Sequence, residues 1–165
     1  TPPPKTPRYD ANPLSIAWWS LKMRYWSWKV DSYQGPEPDI RLYVEYYKSG
    51  ENGVLDTSFG LQKSRISVIR QFTSRRMAQK NLVIVVHELL HTIGATDKYD
   101  LATLHVDYPE GYAEPARSPL YPQRKAEIMG GRIPVTARKF VMPASLEQCI
   151  VGPETAREIG WLDRG

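Results

Sequence analysis

Residues 87–97 read His87-Glu88-Leu89-Leu90-His91-Thr92-Ile93-Gly94-Ala95-Thr96-Asp97, and the rest of the chain is best read outward from them. A helix puts residues four apart on one face, so the imidazoles of His87 and His91 can reach a single metal ion. Glu88 follows the first histidine and points to the side of that ion, where a carboxylate can take a proton from water. Gly94 stops the helix, because glycine adopts positive φ at no steric cost and lets the chain turn back beneath the helix end. That turn brings Asp97 towards the same ion as a third ligand. The only cysteine is Cys149, so no cysteine-rich cluster can form and a metal site must use His and carboxylate. His105, the one remaining histidine, and Glu114 are alternative third ligands.

The pattern His87-Glu88-x-x-His91-x-x-Gly94-x-x-Asp97 resembles that of the metzincin clan of zinc endopeptidases, which carries the same glycine and usually a third His at the last position. The resemblance is specific over residues 87 to 97, weaker to 131 and only architectural elsewhere. It implies a zincin-like α+β fold with an N-terminal twisted sheet and helices, a central metal-binding helix, and an irregular C-terminal subdomain. It also implies Zn2+ as cofactor, Glu88 as general base and a peptide or protein as substrate. Met129 in Glu127-Ile128-Met129-Gly130-Gly131 would be the methionine turn beneath the metal, and Thr155 to Trp161 the terminal helix. Tyr99 or Tyr112 would offer a phenol to the developing oxyanion. Glu127 or Asp100 would accept from the imidazole N–H groups, as such ligands usually require. Asp97 departs from the family pattern; its negative charge would make the zinc a weaker Lewis acid, and its short side chain needs the loop closer to the ion.

Upstream, Ser74 to Ile93 has helical periodicity, with Ala78, Leu82, Val85 or Val86, Leu89 and Ile93 on an apolar face. Val83 to Val86 are β-branched, with poor helix propensity, so burial on most sides must compensate. Arg65 to Phe72 reads as a strand with Ile66, Val68 and Arg70 on one face, and Ile40 to Tyr47 as another. Either could offer an edge to an extended substrate. Ser49 to Gly53 reads as a turn. Between Leu14 and Val30, Leu14, Trp18, Leu21, Tyr25 and Trp28 recur at helical spacing, while Ala17, Trp19, Leu21, Met23 and Tyr25 recur at strand spacing. Length and the lack of internal Gly or Pro favour helix. Beyond Gly94 the chain is proline-rich and loop-like until a last helix from Pro153 to about Trp161.

With 165 residues, the chain suits one domain, residues 11–165, after a proline-rich tether at residues 1–10. Such a tether fits an exported or membrane-anchored protein. No signal peptide is visible, and the longest aliphatic run, Leu82 to Val86, is far too short to span a bilayer. The formal charge is +4, but Lys and Arg are dispersed and no nucleic-acid motif is present, which argues against a nucleic-acid partner. The rival to the peptidase reading is a non-catalytic metal- or peptide-binding domain. An intact Glu88 argues against it, since a structural site has no use for a base.

Overall fold

Asn12 and Pro13 start the first helix, α1 (Pro13–Val30): the Asn12 side chain accepts from the Ser15 N–H at 2.9 Å, and proline at the first position lacks only a donor that would be unpaired. The computed structural model describes residues 2–7, 11–48, 58–61 and 65–163. Strands β1 (Arg41–Tyr47), β2 (Phe59–Leu61) and β3 (Ile66–Phe72) form a sheet in the order β1-β3-β2, with β1 parallel and β2 antiparallel to β3. A 3-10 turn at Arg75–Met77 leads into α2 (Ala78–Thr92), which carries the motif.

Alternation along β3 puts Ile66 and Val68 on the α1 side, in a cluster with Trp19, Met23 and Trp26. Tyr43, opposite Val68 in the register, donates to the Ser27 carbonyl and meets the Trp26 ring edge-on at 4.8 Å. The other face of β3 carries Ser67, Ile69 and Gln71 and packs on α2. There the Gln71 amide donates to the Asn81 carbonyl and the Asn81 amide to the Phe72 carbonyl, which fixes the helix on the sheet.

Three expectations change. β3 is paired on both sides and has no edge to offer a substrate; the short strand β2, absent from the sequence reading, lies beside α2 at one edge of the sheet. In α2 the buried positions are Asn81, Val83, Glu88, Leu90 and Thr92, while Leu82 of the expected apolar face is exposed. Val83 to Val86 are nonetheless all at least half-buried, which offsets their low propensity. In α1 the side chains at helical spacing, Leu14, Trp18, Leu21, Tyr25 and Trp28, face outward.

The C-terminal part is less irregular than expected. Strand β4 (Ala126–Glu127) leads to the hairpin of β5 (Ile133–Thr136) and β6 (Lys139–Val141), and β7 (Cys149–Ile150) pairs in parallel with β4. Runs of two to four residues are too short for alternation to reveal them. Helix α3 (Pro153–Glu158) ends the fold, shorter than the segment read from the sequence. The result is a small protein of mixed helix and sheet, compatible with the expected α+β class. Among the described residues no helix is long and apolar enough to cross a membrane. The expected turn at Ser49 to Gly53 lies outside the described residues, as do residues 8–10 of the expected tether. Within 2–7, the Pro4 carbonyl accepts from the Trp19 indole at 3.5 Å.

Candidate metal centre

His87 and His91 stand one turn apart on the last part of α2, with their Nε2 atoms 3.1 Å from each other. Each imidazole is oriented through its other nitrogen: His87 Nδ1 lies 2.9 Å from the Ile128 carbonyl and His91 Nδ1 2.8 Å from the Ala95 carbonyl. A carbonyl can only accept, so in the neutral rings Nδ1 carries the proton and Nε2 presents a lone pair. Asp97 Oδ1 is 3.1 Å from one Nε2 and 3.3 Å from the other. That oxygen is buried and has no hydrogen-bond partner among the described residues. Three lone pairs thus converge with no proton between them, an arrangement that repels itself unless a cation is present. His87, His91 and Asp97 are therefore a group that can hold a metal ion.

Without an ion, a proton is the competing cation. Burial works against protonating His91, but Asp97 beside it outweighs burial and raises its pKa. Burial alone would likewise raise Asp97, yet the two imidazoles hold its carboxyl far below the usual range. Both shifts have the same cause, the close approach of the carboxylate to the imidazoles.

The loop that presents Asp97 is fixed at both ends. Gly94 takes φ 114°, as the helix-stop reading expects, and the Ala95 N–H donates back to the Leu90 carbonyl at 3.0 Å. Beyond it, α3 reaches in with Glu158. Its carboxylate accepts from the Thr96 N–H at 3.0 Å, from the Thr96 hydroxyl at 2.6 Å and from Lys98 Nζ at 2.7 Å. Residues on either side of Asp97 are thus pinned to one carboxylate. Sequence reasoning missed Glu158, and no local signal connects it to a loop 62 residues earlier.

Glu88 is buried beside the two histidines, 6% exposed, and its Oε2 has no hydrogen-bond partner among the described residues. Burial raises its pKa. It lines a cleft of about 370 Å³ together with His87, Tyr99, Ser58, Gly130 and Arg132. Tyr99 lies near the donors, its ring centroid 6.3 Å from that of His87, and burial together with Asp97 raises its phenol pKa.

Met129 is fully buried in the cluster of Val83, Leu90, Ala95 and Ile128. The turn around it is organised by Glu127, whose Oε2 accepts from the N–H groups of Met129 and Gly130 at 2.6 and 2.8 Å. Glu127 Oε1 accepts from the Gly152 N–H and the Thr155 hydroxyl at 3.0 and 2.8 Å. Glu127 is therefore not an imidazole acceptor; it orders the backbone whose Ile128 carbonyl is. The Met129 carbonyl in turn accepts from the Lys98 N–H at 3.0 Å, tying this turn to the Asp97 loop.

Other candidates lie elsewhere. Asp100 accepts from the N–H groups of Ala102 and Thr103 and from the Thr103 hydroxyl, closing a local turn instead of holding an imidazole. His105 is exposed and stacks near Phe140. Glu114 accepts from the Arg124 N–H and pairs with Arg117. Neither joins the group formed by His87, His91 and Asp97. The Tyr112 hydroxyl is hydrogen-bonded to that of Tyr121 at 2.9 Å, away from the cleft lining. In comparisons with protein-family models, curated proteins and solved structures, none matches this chain.

Proposed function

We propose that this chain is a zinc-dependent peptidase of the metzincin type, with His87, His91 and Asp97 as metal ligands and Glu88 as general base. The observation that carries the reading is the convergence of ligand atoms from three half-buried residues beside a buried carboxylate, one oxygen of which has no hydrogen-bond partner among the described residues, in an open cleft. Zinc–nitrogen bonds of about 2.0–2.1 Å at tetrahedral angles put neighbouring donors about 3.3 Å apart. The separations of 3.1, 3.1 and 3.3 Å fit that size. Zinc, when bound, supplies a Lewis acid that acidifies water and polarises a peptide carbonyl.

Glu88 then has a base's task. Burial moves its pKa upward, towards working pH, where a carboxylate both accepts a proton readily and returns it to a leaving amine. Tyr99, kept protonated by burial and by Asp97, suits a hydrogen-bond donor to a developing oxyanion. The substrate edge is assigned to β2: Ser58, just before it, lines the cleft, and an extended peptide can add to such an edge by backbone hydrogen bonds.

The test compares wild type with Glu88→Gln for zinc content and for cleavage of an unstructured protein. The variant should keep about one zinc per chain and lose about 10²–10⁴-fold in rate. Undiminished cleavage by the variant would move the activity to another site. A zinc-loaded wild type inert across a broad peptide library would favour the non-catalytic binding domain.

A further inference from the structure

Helix α1 is apolar on both sides, and the sheet covers only one of them. Trp19, Met23 and Trp26 face β3, while Leu14, Trp18 and Trp28 are 84, 61 and 74% exposed, with Leu21 and Tyr25 exposed between them. An all-round apolar helix in a soluble fold is normally buried all round. The outward residues follow one another in steps of four and three, which draws a continuous stripe along the helix.

The borders of the stripe are basic. At 3.6 residues per turn, Lys22 and Lys29 fall along one border and Arg24 along the other, all three exposed. Lys22 Nζ sits 5.5 Å above the Trp18 ring. Between Pro13 and Val30 there is no Asp or Glu. Trp and Tyr present an apolar body with a polar tip, and Lys and Arg can lay their stems on the apolar surface while their heads reach outward.

We infer that the outward face of α1 docks on an anionic lipid surface, lying in the plane of the headgroups with Leu14, Trp18, Leu21, Tyr25 and Trp28 inserted. Charge complementarity selects this occupant: the helix itself brings three cations and no anion to acidic headgroups, and the acids beside Arg24 and Trp28 are turned to another cation, Asp31 lying 2.8 Å and Glu37 3.9 Å from the Arg41 guanidinium. A second copy would bring the same cations against themselves. The motif helix packs on the opposite face of the sheet, so docking through α1 leaves the cleft uncovered. The inference does not depend on the peptidase reading.

The experiment is flotation of the full chain with vesicles of phosphatidylcholine alone or mixed with phosphatidylglycerol, over a range of salt. The expected result is binding to the mixed vesicles only, weakening as salt rises, with a blue shift of tryptophan emission. Lys22→Gln and Lys29→Gln should each weaken binding about fivefold. The pair Trp18→Gln and Trp28→Gln should weaken it about tenfold or more, since affinity follows inserted apolar area. These side chains are outward, so circular dichroism should not change; were the tryptophan pair to unfold the chain, the lysine variants would still decide. Failure of wild type to float, equal binding to neutral vesicles, or variants that bind like wild type would overturn the inference. A concentration-dependent dimer that the tryptophan pair dissociates, with no vesicle binding, would assign the stripe to a second copy and overturn it equally.

Discussion

Around Trp19, Met23, Trp26, Ile66 and Val68, a helix and a sheet bring side chains together, and their backbone groups are paired within those elements. Around Val83, Leu90, Ala95, Ile128 and Met129, the chain beyond α2 contributes mostly turns and strands of two to four residues, and side-chain carboxylates do the pairing instead. Glu127 takes up three backbone N–H groups and one hydroxyl; Glu158 holds Thr96 and Lys98. Loops have no ladder to satisfy their donors, and burying an unpaired donor costs about 1–3 kcal/mol, so a charged acceptor can replace a strand. The second cluster also carries the proposed zinc site. Its polar staples should therefore control metal affinity, whereas the first cluster should affect stability alone.

The largest expected effect on metal binding is from Asp97→Ala. Losing a ligand should lower zinc affinity beyond the ~100-fold that loss of an outer-shell partner costs, as measured by competition with a chelator. Unchanged affinity, or loss of zinc on His105→Ala instead, would refute the ligand set.

Glu127→Gln should come next. One end of the amide must face backbone N–H donors as an N–H itself, so stability should fall by about 3 kcal/mol. Zinc affinity should fall about 10–100-fold, because the Ile128 carbonyl that orients His87 loses its support. If chemical denaturation shows the stability loss but chelator competition shows no loss of affinity, the two functions of this turn are separate and the comparison fails.

Met23→Ala tests the other cluster. Met23 is fully buried, and its truncation should cost about 2–5 kcal/mol. Zinc affinity of the folded fraction should match wild type; a parallel drop would mean that the two clusters act as one.

The smallest effect is a pH dependence at Glu158. Burial would raise its pKa, but hydrogen bonds from Lys98 and Thr96 outweigh burial and hold it below its ordinary 4.5. A carboxyl depressed in the fold contributes its full stability above the unfolded value and loses it as pH falls through the folded value. The difference in thermal midpoint between wild type and Glu158→Gln should thus be largest near neutrality and shrink below pH 4.5. A difference that grows on acidification would reverse the sign of this interaction.

What the sequence determined by itself is what repeats within a few residues. The spacing of His87 and His91 on one helix, the stop at Gly94 with φ 114°, and the strands at Arg41–Tyr47 and Ile66–Phe72 all follow from local periodicity and the conformational freedom of glycine. Asp97 was legible as a candidate ligand because Gly94 lies between it and the helix; His105 and Glu114 were also candidates in the sequence, and the fold groups only Asp97 with the two histidines among the described residues. Only the tertiary structure decided the rest. The apolar side chains of α1 occur all round the helix, so periodicity could not say which face the sheet would cover. Strand β2 is three residues long, too short for a pattern, and its position beside α2 comes from pairing with β3. The acceptors that orient the imidazoles are backbone carbonyls, one of them 41 residues from its histidine, and carbonyls carry no sequence signature. Glu127 and Glu158 look like ordinary surface carboxylates in one dimension. They become structural because long-range contacts set them, Glu127 buried and Glu158 half-buried, against donors that the loops leave unpaired.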